Sequence, residues 1–222
     1  MRAFAELIAE AALRKGGAAA VEGLLPQPKS PAQLRRITDD RYLSDMSRRV
    51  FRAGLRHAMV DAKWPAFEEV FYQFNPARVA RMSDEELERL MSNDAIIRHF
   101  GKIKAVRGNA QMVMDIAAEH GSFAEFIAAW PGDNIVGLWQ VLKKRGSQLG
   151  GQSGARFLRM VGKDTFLLTD DVVHMLKVEG VVNKVPSAQR DLDKVQAAFN
   201  EWQRETGRPL CHISRVLSFL PE

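Results

Sequence analysis

The chain has 222 residues, 46% of them hydrophobic, which is enough to bury a full core. Its 32 lysines and arginines exceed its 27 aspartates and glutamates, and the resulting net charge of +5 is compatible with a polyanionic partner. The one cysteine, Cys211, excludes an internal disulfide and a thiolate zinc cluster, and no window approaches the roughly 20 apolar residues of a membrane span. We expect a protein of the reducing cytoplasm, with no metal, no cofactor and no membrane association.

The N-terminal region begins with an amphipathic helix over residues 3 to 15, which ends at two glycines. Charged residues interrupt its apolar face, so we expect no signal peptide. Three prolines then mark a connection, the one plausible linker in the chain. We expect the helix (1–16) and the connection (17–38) to pack on a single domain that spans residues 1–222.

The next segment, residues 39 to 55, predicts an amphipathic helix. Leu43, Met46, Val50 and Phe51 share one face, and arginines occupy the rest of the circumference. This pattern is typical of a core helix with a basic outer surface.

Helical periodicity continues to the C-terminus, and no run alternates as a strand does. A helix from residue 56 is predicted to bend or break at Pro65, and Ser83 with Glu86 predicts a capping box before the next helix. Further helices are predicted over residues 101–120, 122–130, 133–145, 187–206 and 209–220. The fold class is therefore all-α.

The segment LKKRGSQLGGQSGARFLRM, residues 142–160, joins a basic helix end to a glycine-rich turn and a second helix. Glycines let backbone N–H groups approach a phosphate, and the following helix N-terminus is electropositive. The alternative is a flexible loop between two helices. The candidate DNA-binding residues here are Lys143, Lys144, Arg145, Gly150, Gly151, Gln152, Ser153 and Gly154.

A pair of carboxylates opens a later helix in FLLTDDVVHML. Asp170 and Asp171 follow Thr169 there, and acidic residues at a helix start normally act as caps. The alternative is that one aspartate caps the helix while the other projects into a cleft and stabilises positive charge on a sugar. His174, one turn later, either lines that pocket or is an ordinary, partly exposed helix histidine.

A glycine-rich hairpin, a helix and then an aspartate at the next helix start resemble the helix-hairpin-helix DNA glycosylase superfamily. Residues 74–110 are similar to bacterial DNA-3-methyladenine glycosylase type I, through IIRH at 96–99, GKI at 101–103 and NA at 109–110. The LKKRG segment at 142–146 also recurs there. The resemblance extends from about residue 40 to 176. It implies two helical lobes with a cleft between them, and a monomer that binds double-stranded DNA containing a damaged base.

The same resemblance implies roles for further residues. Arg98 and Lys102, in a basic turn between helices, would shape the cleft and contact DNA; the alternative is surface charge at a joint. Asp171 is the first choice for the catalytic residue, and Asp170 is the second. Bifunctional relatives place a nucleophilic lysine where this chain has Ala155, so the implied reaction is monofunctional hydrolysis of the N-glycosidic bond of alkylated purines such as 3-methyladenine.

The chain also departs from the type I pattern. Those enzymes carry terminal Cys/His residues that bind zinc, whereas this chain offers Cys211 and His212 alone, so we expect apolar packing between the first and last helices. Around Ala53-Gly54-Leu55 the family has a Glu and a Trp where this chain has Arg49 and His57.

A cationic base favours a carboxylate and an aromatic face in its pocket. Trp64 or Phe51 would be a substitute stacking wall in this chain; the alternative is that both belong to the core. The loss of the Glu and the Trp leaves a second function open, a non-catalytic protein of the same fold that recognises damaged or distorted DNA.

Overall fold

The computed structural model describes residues 1–221, which form fifteen α-helices and three short 3-10 turns without a strand, so the all-α prediction is confirmed. The first eight helices are α1 (Phe4–Lys15), α2 (Ala18–Gly23), α3 (Pro31–Arg35), α4 (Asp39–Arg52), α5 (His57–Ala62), α6 (Trp64–Val70), α7 (Pro76–Ala80) and α8 (Asp84–Arg89). The others are α9 (Phe100–His120), α10 (Phe123–Ala129), α11 (Ile135–Arg145), α12 (Ser153–Val161), α13 (Asp170–Val178), α14 (Gln189–Thr206) and α15 (Leu210–Leu217). None of the helices in residues 1–221 has the length and hydropathy that a membrane span requires.

Local sequence signals set several helix boundaries. The Ser83 hydroxyl accepts the Glu86 N–H at 3.2 Å, and the Glu86 carboxylate accepts the Ser83 N–H at 2.7 Å, so the predicted capping box begins α8. The predicted break near Pro65 is also confirmed, because α5 and α6 are separate helices and Pro65 lies in the first turn of α6. The predicted connection over residues 17–38 contains two short helices, α2 and α3.

The chain divides into two compact units. The first comprises Met1–Lys29, Pro131–Leu138 and Gly162–Glu222, and the second comprises Ser30–Trp130 and Trp139–Val161. The single domain over residues 1–222 stays a prediction, because compactness alone does not decide whether two units unfold cooperatively.

In the first unit, α1 packs on α14 and α15. Phe4 and Trp202 are fully buried with ring centroids 6.2 Å apart, and this apolar packing of the first and last helices confirms the prediction. The Glu205 carboxylate also accepts the N–H groups of Phe4 at 3.0 Å and Ala5 at 3.4 Å, and so caps α1 from the end of α14.

In the second unit, α4 packs against α9 and α12. Its predicted apolar face is confirmed, since Leu43, Met46, Val50 and Phe51 are at most 1% exposed. The basic residues near the end of α4, Arg48, Arg49 and Arg52, lie at the half-buried margin of this core.

Candidate functional site

The glycine-rich hairpin between α11 and α12 lies in the second unit and depends on a glycine at its first position. A Cβ on Gly146 would lie 2.6 Å from Leu149 Cδ1 and 2.7 Å from the Leu142 carbonyl oxygen, closer than real Cβ atoms approach. The Gly146 N–H donates to that same carbonyl at 2.9 Å and ends α11. A larger residue at position 146 would therefore displace the backbone that turns here.

Asn109, in the middle of α9, anchors the hairpin. Its side chain is fully buried, donates to the Ser147 carbonyl oxygen at 3.1 Å and accepts the Ser147 N–H at 2.7 Å. The sequence resemblance includes Asn109 but gives it no role. The pairing joins positions 38 residues apart, so no local pattern reveals it.

The tip of the hairpin leaves two amides available. The carbonyl oxygens of Leu149 and Gly150 accept the N–H groups of Gly154 and Ser153, each at 3.1 Å, and these bonds close the turn before α12. Within residues 1–221, the N–H groups of Gly150 and Gly151 donate to no protein acceptor. Gly151 is exposed and has a φ of +55°, a conformation that glycine adopts without strain. An anion at the tip would find two unoccupied donors.

The basic residues of α11 differ in their availability. Lys143 and Lys144 are exposed and make no ion pair within residues 1–221. Arg145 donates two hydrogen bonds to the Glu119 carboxylate, at 2.7 and 2.6 Å. Two of the three predicted phosphate contacts are thus free to bind, and the third is engaged at the surface.

The alternative of a surface charge is wrong for Lys102, and the contact of Lys102 with DNA stays a prediction. Arg98 is exposed, but Lys102 is 7% exposed, and its ammonium donates to the carbonyl oxygens of Phe51 at 3.2 Å and Ala53 at 2.7 Å. These carbonyls end α4, so Lys102 caps that helix. Burial lowers the pKa of Lys102, and the positive charge of Arg49 lowers it further.

The predicted stacking wall is also corrected, in favour of the core alternative. Phe51 is fully buried and Trp64 is 3% exposed. The Trp64 ring is stacked between Phe67 and Phe74, with centroids 4.8 and 5.4 Å away, and its Nε1–H donates to Ser44. Neither Phe51 nor Trp64 therefore presents a face to a ligand.

Of the other two base-pocket candidates, Arg49 is half-buried in the last turn of α4, and His57 is exposed at the start of α5. Both belong to the second unit. Their role in a base pocket stays a prediction.

The aspartate pair lies in the first unit and opens α13. The helix is capped by Thr169, whose hydroxyl accepts the Val172 N–H at 3.4 Å, so the expectation that an aspartate is the cap is wrong. Asp170 and Asp171 are both exposed in the first turn, where the helix dipole favours negative charge. Neither carboxylate makes a hydrogen bond or an ion pair within residues 1–221, so both are available to a ligand.

An open pocket of about 680 Å³ lies beside this helix start. Its polar side is formed by Asp170, Asp171, His174 and Lys177, and a role of His174 in a base pocket stays a prediction. The two carboxylates can stabilise a developing cation, and the imidazole and the ammonium can hold a water by hydrogen bonds.

A metal-ligand cluster is absent from residues 1–221. Cys211 is buried, with its Sγ 3.8 Å from the Pro26 carbonyl oxygen, and the His212 Nε2 lies 2.9 Å from the same oxygen. These two residues link α15 to the N-terminal connection within the first unit.

Comparison with known proteins places the chain in a known family. A family model described as methyladenine glycosylase matches residues 35–148, just over half of the chain. The matched segment contains Asn109, Lys143 and Lys144, and it ends before the tip of the hairpin and before α13.

Three relatives illustrate the extent of the likeness. A DNA-3-methyladenine glycosylase 1 of Escherichia coli is 38% identical over 76 residues, which cover 34% of this chain and 41% of that protein, so the match spans well under half of the relative's length. The structure of 3-methyladenine DNA glycosylase I from Staphylococcus aureus aligns at 25% identity with a TM-score of 0.52, over 62% of this chain and 80% of the other. An 8-oxoguanine glycosylase/lyase from Methanocaldococcus jannaschii, solved with DNA, aligns at 12% identity and a TM-score of 0.53 over 97% and 96% of the two chains. At that identity it shows the fold alone, and the predicted DNA glycosylase fold is confirmed.

Proposed function

Because the chain belongs to the methyladenine glycosylase family, we propose that it is a monofunctional DNA glycosylase that hydrolyses the N-glycosidic bond of alkylated purines such as 3-methyladenine. The observation that carries the proposal is the match over residues 35–148, which includes the buried asparagine that anchors the hairpin. The partner is double-stranded DNA with a damaged base. A monomer in the reducing cytoplasm is compatible with a single, buried cysteine.

The hairpin is the proposed grip on the DNA backbone. The free N–H groups of Gly150 and Gly151 and the N-terminus of α12, at Gln152, Ser153 and Gly154, favour a phosphate. Lys143 and Lys144 add two exposed positive charges, and Arg98 adds a third. Such contacts position the protein without reading sequence.

The proposed chemistry is a displacement at C1′ of a nucleotide turned out of the duplex. The bond between C1′ and the base nitrogen breaks, and its electron pair leaves with the base. Water oxygen then bonds to C1′ and releases its proton to a carboxylate or to solvent. Asp171, or in second place Asp170, would stabilise the positive sugar and orient the water. A methylated purine is already cationic, so its departure requires no strong general acid.

The absence of a lyase step is part of the proposal. A Schiff base needs an amine nucleophile, and position 155, where bifunctional relatives have their lysine, is a fully buried alanine. The product would be an abasic site with an intact strand.

A second candidate function is a non-catalytic DNA-binding protein of this fold. The observation that favours it is Arg49, which occupies the position of the pocket Glu in the type I pattern. The charges of Arg49, Lys102 and Arg156 act on one another and make this part of the protein positive. A positive site repels a cationic base. Recognition of distorted DNA requires no such pocket.

The test is release of free bases from methylated duplex DNA, identified by mass spectrometry. Asp171→Asn should lower the rate of release by about 100-fold or more, because it removes the charge opposite the developing cation. Asp133→Asn, an exposed aspartate of the same unit, is the matched control and should leave the rate unchanged.

Equal loss in Asp170→Asn and none in Asp171→Asn would reverse the order of the two aspartates. Tight DNA binding by the wild-type protein without release of any alkylated base would overturn the enzyme and support the second candidate.

A further inference from the structure

The last turn of α4 carries positive charge that the protein itself does not neutralise. Arg49 is half-buried, and its Nε is inaccessible to solvent without an acceptor within residues 1–221. Its guanidinium makes no ion pair in that part of the chain. A buried donor without a partner costs free energy, so such an arrangement is uncommon unless a ligand completes it.

Further cations surround this arginine. Lys102 reaches the end of the same helix, where its ammonium donates to the Phe51 carbonyl oxygen at 3.2 Å. Arg156 lies on α12, which packs against α4 and contacts it where Arg52 approaches the Met160 sulfur at 3.8 Å. Burial lowers the pKa of Arg49, and the charges of Arg156 and Arg52 lower it further, as expected for cations on two helices that pack against each other.

The carboxylate of Asp61, near this cluster, already has a partner. Asp61 accepts three hydrogen bonds from Arg52, at 3.0, 2.7 and 2.6 Å. Arg156, like Arg49, has no side-chain hydrogen bond or ion pair within residues 1–221. The cluster thus has three cations, Arg49, Arg156 and Lys102, that lack a counter-charge.

We propose that Arg49 and Arg156, supported by the charge of Lys102, form a binding site for a phosphate group. A guanidinium presents paired N–H donors that match the spacing of phosphate oxygens, and an anion would relieve both the repulsion and the unpaired Nε. The residues lie in one unit with the hairpin, and Arg156 is in the helix that starts directly after it. The phosphate is either one of the DNA backbone or a free phosphate ion. Binding of a DNA phosphate rests on the proposed function, whereas the existence of the site does not.

The first measurement is the affinity of the full chain for inorganic phosphate, by calorimetry in a phosphate-free buffer. Arg49→Gln and Arg156→Gln should each lower that affinity about tenfold or more, since a hydrogen bond between charged groups is lost. Arg89→Gln, an exposed arginine of the same unit, controls for the loss of charge and should change little. Arg49→Lys keeps the charge without the fork and should lie between Arg49→Gln and wild type.

The second measurement separates the two sources of phosphate. The salt dependence of binding to a short undamaged duplex should lose about one unit of slope in Arg49→Gln relative to Arg89→Gln if the ligand is a DNA phosphate. An unchanged slope, together with weaker binding of inorganic phosphate, identifies a free anion as the ligand.

The proposal is overturned if the wild-type protein binds no phosphate and both slopes agree, or if Arg49→Gln and Arg89→Gln bind phosphate equally. Circular dichroism of each variant establishes that it is folded. Base release by the wild-type protein is measured separately, so an inactive protein that still binds phosphate through Arg49 would overturn the enzyme and leave this site standing.

Discussion

The hairpin and the end of α4 lie in the same unit and are both basic, yet they are organised in opposite ways. In the hairpin, a buried side-chain amide satisfies the backbone of Ser147, and the free groups are the backbone N–H groups of Gly150 and Gly151. At the end of α4, the free groups are the charged side chains of Arg49 and, on the adjoining α12, Arg156, and both residues are half-buried.

The difference bears on stability as well as on binding. A site made of backbone N–H groups is held by the hydrogen bonds around it and remains folded when empty. A site made of like charges opposes folding until an anion arrives, because repulsion and desolvation both act on the empty state. We therefore expect that the protein requires the hairpin in order to fold, whereas it folds in spite of the arginine site.

The largest expected effect comes from removing the anchor of the hairpin. Asn109→Ala deletes two hydrogen bonds and leaves the N–H and carbonyl of Ser147 without their partner, so the free energy of unfolding should fall by about 3 kcal/mol. Urea denaturation measures it.

Asn200→Ala is the control, because its half-buried side chain also makes two hydrogen bonds: it donates to the Asp133 carbonyl oxygen in an exposed bond and accepts the Gln196 Nε2–H at 2.8 Å. Its loss should be about 1 kcal/mol or less. If Asn109→Ala were no less stable than Asn200→Ala, the hairpin would not depend on its anchor and the contrast with α4 would fail.

The sequence alone predicts this contrast only in part. The apolar face of α4 and the capping box of α8 are predicted correctly, because in each case the signal and the structure lie within one or two turns. The caps of α1 by Glu205 and of α10 by Asp39 join positions far apart in the chain, and no periodicity reports them.

The candidate site shows the same limit. The glycine-rich turn was found because glycine spacing is visible in the sequence, whereas the fate of each lysine was not. The sequence does not distinguish Lys102 from Lys143. Lys102 is buried because α9 approaches the end of α4, whereas Lys143 is exposed. The two aspartates after Thr169 carry the stronger charge signal in the sequence, although the hydroxyl of Thr169 is the group that caps the helix.

The second prediction concerns the charges beside the hairpin and sharpens the distinction between free and engaged cations. The double variant Lys143→Gln with Lys144→Gln should reduce the salt-dependence slope of duplex binding by about 2, one unit for each lost phosphate contact. Arg145→Gln should reduce it by less, because that guanidinium already binds Glu119. Fluorescence anisotropy over a range of potassium chloride concentrations gives the slopes. A larger effect for Arg145 than for the two lysines would show that the Glu119 pair opens when DNA binds.

The smallest expected effect is a gain in stability at the arginine site. In a buffer without phosphate or sulfate, Arg49→Met should raise the free energy of unfolding by about 1 kcal/mol, because an apolar side chain of similar length fills the space without desolvating a charge or repelling Arg156. Arg89→Met, at an exposed position, should stay within about 0.5 kcal/mol of wild type.

Added phosphate should reverse the order of Arg49→Met and wild type, since only the wild-type site gains from the anion by mass action. A loss of stability in Arg49→Met without any anion would mean that Arg49 is held by contacts worth more than its desolvation. The end of α4 would then be stable without an anion, as the hairpin is, and the contrast between the two regions would fail.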